Sequence, residues 1–144
     1  MTSVVEADGI RIPASLASLD RAARYIASLS ARGELSSFDA YRLRLAVDEM
    51  VSNIILHGYK SHAGEVTLRG GACDGEVWVQ IEDQAPGFDP RRAEGMPAPR
   101  NLAEGAPVGG FGLFLIFWSV DSISYEFIDG TNRSTLVVRP RNHE

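Results

Sequence analysis

Apolar residues recur along this chain first at helical spacing and then in alternation, and the change of period marks its organisation. From Ala14 to Ala31, Leu16, Leu19, Ala23, Ile26 and Ser30 follow a helical period, with Leu29 adding to the same face. Gly33 stops that helix. Ser36 or Ser37 caps a second helix, about Phe38 to His57, which ends at Gly58 and carries a core stripe of Leu43, Val47, Met50 and Ile54. Gly9-Ile-Arg-Ile12 predicts a short strand ending at Pro13. Past the second helix, Glu65 to Arg69 and Val77 to Ile81 alternate around an Asp74-Gly75 turn, which predicts a hairpin. A closing hairpin, Ser122 to Phe127 and Ser134 to Val138, turns at Asp129-Gly130. Between the hairpins, Phe88 to Val108 has four prolines and no period, and the apolar run Phe111 to Val120 predicts a buried helix. So long a loop inside a compact domain is usually functional or disordered. Amphipathic helices need a sheet face to cover, so the order predicts a two-layer α+β sandwich in one domain spanning residues 1–144.

Composition narrows the function without choosing it. A chain of 144 residues buries roughly 70% of its unfolded surface. Its net charge of −5 argues against a nucleic-acid binder, which needs a basic stripe. Cys73 is the single cysteine, and with His57, His62 and His143 it makes no zinc-site spacing. The first residues lack the basic start and apolar core of a signal peptide, and the run Leu113 to Trp118 is too short to span a bilayer. A cytoplasmic protein with no membrane or direct nucleic-acid partner is expected.

Three segments carry the chemistry. Glu49 and Asn53 stand four residues apart, one above the other on a helix face, while Asp48 points about 100° away. Glu49 is a candidate general base and Asn53 a candidate Mg²⁺ ligand, although a solvated acid and a turn-bonded amide are the ordinary fates of such residues. Asp83 ends an alternating strand, where an inward acid is costly unless it meets a donor. A purine amino group is one such donor; an ordinary Asx turn, with Gly87 as its turn glycine, is the other explanation. Gly109-Gly-Phe-Gly112 precedes the apolar run, where glycines let the backbone approach a phosphate and helix N–H groups favour anions. Neither a Walker pattern nor a dinucleotide fingerprint is present. In this order, the three describe a nucleotide site that is not a P-loop.

Together they resemble the GHKL ATPase superfamily, and more closely the anti-sigma-factor serine/threonine kinases of bacterial partner-switching systems. The resemblance runs from about Ile10 to Arg139. It rests on Glu49-x-x-x-Asn53 with His57-Gly-Tyr59, Asp83 with Gly87-Phe-Asp-Pro90, Gly109-Gly-Phe-Gly-Leu-Phe-Leu-Ile116, and Gly130-Thr-Asn132. It implies helices on one face of a mixed, mainly antiparallel sheet, with ATP and Mg²⁺ as cofactors. It makes Glu49 the catalytic base and puts Mg²⁺ on Asn53. Asp83 and Gly87 receive the adenine, while Gly110 and Gly112 close over the phosphates with a lid at about 88–108. Phe88, Gly109, Phe111, Leu113 and Thr135 complete the implied nucleotide-binding set. The implied partners are an antagonist protein phosphorylated on serine or threonine, a sequestered sigma factor or equivalent regulator, and a second copy in a homodimer.

Two departures stand out. Ala85 replaces a glycine that many superfamily members carry, and Val108 puts no cation beside the glycines, so Arg91, Arg92 or Arg100 would have to reach the γ-phosphate. A non-catalytic ATP-binding module is the alternative reading, and intact Glu49 and Asn53 count against it because a pure binder does not need both. A detached histidine-kinase catalytic domain ranks third, since no helical hairpin with a phospho-accepting histidine is seen.

Overall fold

The computed structural model describes residues 8–60, 62–73, 75–86, 116 and 118–140. Its elements are β1 (Asp8–Pro13), α1 (Leu19–Arg32), α2 (Ser37–Asn53), β2 (Glu65–Cys73), β3 (Glu76–Asp83), β4 (Ser122–Ile128) and β5 (Thr131–Val138). The strands form one sheet in the order β1-β2-β3-β5-β4. The two-layer α+β sandwich is as expected, and each strand pairing among the described residues is antiparallel. Asp129 and Gly130 both have positive φ, 52° and 78°, the backbone that lets a two-residue turn follow the twist of β4 and β5.

Both helices cover one sheet face. The core joins Ala22, Ile26 and Leu29 of α1 and Leu43, Val47 and Val51 of α2 to Leu68, Val79, Ile81 and Leu136 of the sheet. Period-two alternation places every second strand residue on that face. In β3 the inward series is Val77, Val79, Ile81 and Asp83, and in β5 it is Val138, Leu136, Ser134 and Asn132, paired in that order. The covered face therefore turns from apolar to polar at one end, between Ile81–Ser134 and Asp83–Asn132. That end holds the site.

The helices depart from expectation in three places. α1 begins at Leu19 after a 3₁₀ turn at Leu16–Ser18, so Leu16 lies outside the stripe and is 51% exposed. Ala22 and Tyr25, not Ala23, join Ile26, Leu29 and Ser30 in the buried face. Tyr25 also fastens α1 to the sheet: its hydroxyl accepts from Gly70 N–H (2.8 Å) and donates to the Asp8 carboxylate (2.8 Å). Burial first, then the Asp8 charge, pushes that phenol up to about 12. In α2, Ser36 is the cap, accepting from Asp39 N–H at 3.1 Å. The last turn widens into a π turn at Ile54–Gly58, closed by Tyr59 N–H to Ile54 C=O at 2.8 Å. π turns of this kind recur at functional sites. Of the helix expected at Phe111 to Val120, Phe111 to Leu115 and Phe117 lie outside the described residues; Ile116, Trp118 and Ser119 are helical. Ile116 is fully buried and Trp118 is 52% exposed.

Among the described residues, one ion pair lies inside the fold. Arg42 of α2 is 0% exposed and meets Asp39, itself 1% exposed, through Nε (3.1 Å) and Nη2 (3.0 Å). The remaining guanidinium hydrogens reach Ser119 C=O (3.1 Å), Arg139 C=O (3.0 Å) and the Asp121 carboxylate (3.3 Å). A guanidinium has five donors in a fixed fork, and here they join the start of α2 to the chain before β4 and after β5.

Candidate functional site

At the polar end of the covered face, a cleft opens between the end of α2, its π turn, and β3, β4 and β5. It holds about 430 Å³ of space, open mouth included. Met50, Ile54, Ala85 and Pro86 give apolar walls, and Asn53, His57, Asp83, Tyr125, Asn132 and Ser134 give polar groups. A concave, mostly apolar cleft with a few convergent polar groups is the usual form of a small-molecule site. Gly58 belongs to its geometry, because a Cβ there would come within 3.0 Å of the Ala85 Cβ.

Asp83 is 6% exposed. Its Oδ1 accepts from Ala85 N–H (2.9 Å) and from Asn132 Nδ2 (2.9 Å), and among the described residues its Oδ2 has no partner. The Ala85 bond is the Asx turn that the sequence allowed. It uses Oδ1, so the Asx turn does not by itself exclude a ligand at Oδ2. Burial raises the carboxyl above the usual aspartate range, and the two donors only partly offset it. Tyr59 braces this strand end: its hydroxyl accepts from Gln84 N–H (2.8 Å) and donates to Glu65 C=O (2.8 Å).

Asn53 lines the cleft, and its Nδ2 is buried with no partner among the described residues. A buried amide without its bonds is expensive, and a ligand at this spot would relieve the cost. Glu49 lies one turn earlier on the same side of α2, half-buried and outside the cleft wall. Burial raises its carboxyl, and the neighbouring Asp48 charge raises it further. Asp48 is held by Arg44 at 3.5 Å, so of the two acids it is the one with a cation beside it.

Thr135 needs correction. The alternation of β5 puts Ser134 on the covered face, in the cleft, and Thr135 on the opposite face, paired with Gln80. A shift of one residue along a strand exchanges the faces. Gly87, Phe88, Gly109, Gly110, Phe111, Gly112 and Leu113, with Arg91, Arg92 and Arg100, lie outside the described residues. Asn132, Ser134 and Tyr125 went unread as site residues. Asn132 stands in the quoted Gly130-Thr-Asn132 segment, but only the register with Asp83 gives it a role.

Known proteins resemble this chain in sequence and in fold. The chain is 30% identical over 113 residues to the serine/threonine-protein kinase BtrW of Bordetella bronchiseptica, covering 78% of this chain and 79% of that protein. It is 27% identical over 95 residues to the serine-protein kinase RsbW of Bacillus cereus, covering 64% of this chain and 59% of that protein. Its fold matches the crystal structure of the RsbU and RsbW domains of Rv1364c from Mycobacterium tuberculosis with a TM-score of 0.65 at 16% identity, over 93% of this chain and 32% of that one. A family profile described as the histidine kinase-like ATPase domain matches residues 12–139. The chain belongs to the histidine kinase-like ATPase domain family.

Proposed function

We propose that this protein is a partner-switching serine/threonine kinase of the anti-sigma-factor type, which binds ATP in the cleft and transfers its γ-phosphoryl group to a small antagonist protein. The observation that carries the reading is Asp83: a buried carboxylate with one oxygen satisfied internally, set in a mostly apolar cleft. Relatives named as serine/threonine- and serine-protein kinases give the reaction class.

The residues divide the work. Asp83 accepts a hydrogen bond from the adenine amino group while Met50, Ile54 and Ala85 cover the ring. Glu49 orients the acceptor serine or threonine hydroxyl and takes its proton as that oxygen bonds to the γ-phosphorus. The bond from the γ-phosphorus to the bridging oxygen breaks, leaving ADP and a phosphorylated hydroxyl. Asn53 fits one position in the shell of Mg²⁺, which would neutralise phosphate charge and take its other ligands from phosphates and water. A glutamate raised by burial is a better base near neutrality than an ordinary one. Sequestration of a sigma factor or equivalent regulator, a homodimeric state and a cytoplasmic location complete the reading. Among the described residues no helix is long and apolar enough to cross a membrane.

The test is transfer of label from ATP, with Mg²⁺, onto a serine or threonine of a candidate antagonist from the same genome. Asp83→Asn should weaken ATP by roughly ten- to a hundredfold, since a hydrogen bond to a charged group contributes ~1.5–3 kcal/mol. GTP should bind poorly, because its 6-oxo group would face the carboxylate. Equal ATP and GTP affinities by calorimetry would overturn the adenine assignment.

A further inference from the structure

Asn132 is 5% exposed and sits directly opposite Asp83 in the antiparallel register. Its amide orientation follows from its neighbours. One end of the amide meets two acceptors, Asp83 Oδ1 and the Ala85 carbonyl, each at 2.9 Å, so that end is the NH₂. The amide oxygen then points to Tyr125, whose hydroxyl donates to it. All three side chains line the cleft.

We propose that Asn132, held by Tyr125, is the residue that sets base specificity: it occupies Oδ1 and fixes the rotation of the Asp83 carboxylate, so that Oδ2 meets the base as an acceptor only. Such a site selects a 6-aminopurine over a 6-oxopurine. The inference rests on the reading of Asp83 as the base contact and adds the element that fixes its protonation state and direction. Asn132 is a positioning residue here, because it acts through Asp83. Two donors oppose the burial that raises the Asp83 carboxyl, and Asn132 is the stronger of them. Without it, Asp83 takes up a proton at a higher pH. A protonated Asp83 offers a donor, which suits a 6-oxo group and wastes the amino group.

Other groups around Asp83 bear on the pH reading. His57 reaches the cleft from the π turn and Tyr125 from β4. β2 pairs Val66 with Asp83; Arg11 of β1, Glu65 and Arg69 of β2 and Glu82 border a second pocket that Asp83 also reaches, and Glu82 is paired with Arg133 at 3.2 Å. The pH profile is therefore repeated in His57→Gln and Glu65→Gln backgrounds, and a midpoint that stays in both belongs to Asp83.

The experiment compares ATP with inosine triphosphate, which differs at the 6-position of the base, by calorimetry on the full chain from acid to neutral pH. The intact protein should prefer ATP, losing that preference as pH falls through the Asp83 titration. Asn132→Leu should weaken ATP about tenfold while inosine triphosphate holds or gains, and should move the acid midpoint for ATP upward. Tyr125→Phe should move both quantities the same way by less, and it decides the matter if Asn132→Leu fails to fold. Equal loss of both nucleotides with an unmoved midpoint would make Asn132 a structural residue only and overturn the proposal. If the intact protein does not discriminate, or Asp83→Asn changes nothing, the adenine reading itself fails and takes this one with it. Discrimination through Asp83 that survives both variants overturns the present inference alone.

Discussion

Glu49→Gln is expected to leave nucleotide affinity within about twofold of the parent and to cut phosphotransfer by ~10²-fold or more, the usual worth of a positioned base. The split follows from where Glu49 stands. It shares a helix side with Asn53 but lies outside the cleft wall, so neutralising it leaves the base site untouched. Gln keeps the size and loses the proton acceptor. The rate should also carry an acid limb at a pH above that of an ordinary glutamate, because burial and the Asp48 charge both raise the Glu49 carboxyl. Below that pH the base is protonated and transfer falls, and the limb should vanish in the Gln variant. Single-turnover label transfer beside calorimetric ATP affinity separates the two effects. Transfer at the parental rate would move the base to Asp48, and Asp48→Asn would then be the variant to measure.

The second large effect is on stability. Arg42→Ala should cost about 3–5 kcal/mol, the range for removing one partner of a buried ion pair, from a total of roughly 5–15 kcal/mol for a domain. The variant leaves the buried Asp39 carboxylate and two backbone carbonyls, those of Ser119 and Arg139, without the guanidinium. Arg42→Lys should recover little, because an ammonium cannot span four groups that the planar fork reaches at once. Urea unfolding followed by circular dichroism measures the loss. A midpoint that falls with unchanged slope assigns it to the folded state. A cost under about 1 kcal/mol would mean that water or neighbouring groups replace the guanidinium without strain.

How much of this was legible depends on whether a residue's partner is near it in sequence. That Glu49 and Asn53 share one side of α2 was readable because one helical turn relates them. The inward position of Asp83 was readable because it continues the alternation of Val77, Val79 and Ile81. Asn132 was not, since its meaning comes from a strand register set across 49 positions. Thr135 shows the converse hazard. The strand was identified, yet an error of one position along it names the residue on the wrong face. Nothing in the pattern singles out Arg42, because its partners at Ser119, Asp121 and Arg139 are remote in the chain. The π turn left no mark on the pattern either, because one widened turn barely disturbs the apolar period that predicts a helix.

The distance between Asp83 and Asn132 has a consequence for how such a chain can change over time. The two meet side by side although 49 positions apart, and the entropy of closing a connection depends only weakly on its length: doubling it costs about 0.6 kcal/mol. Adding one residue inside β3 or β5 is far more damaging, because every position beyond it exchanges faces, and Asp83 or Asn132 leaves the cleft. Insertions and deletions among relatives are therefore expected to collect between the hairpins and to be purged from the strands, so that Asp83 and Asn132 stay in step.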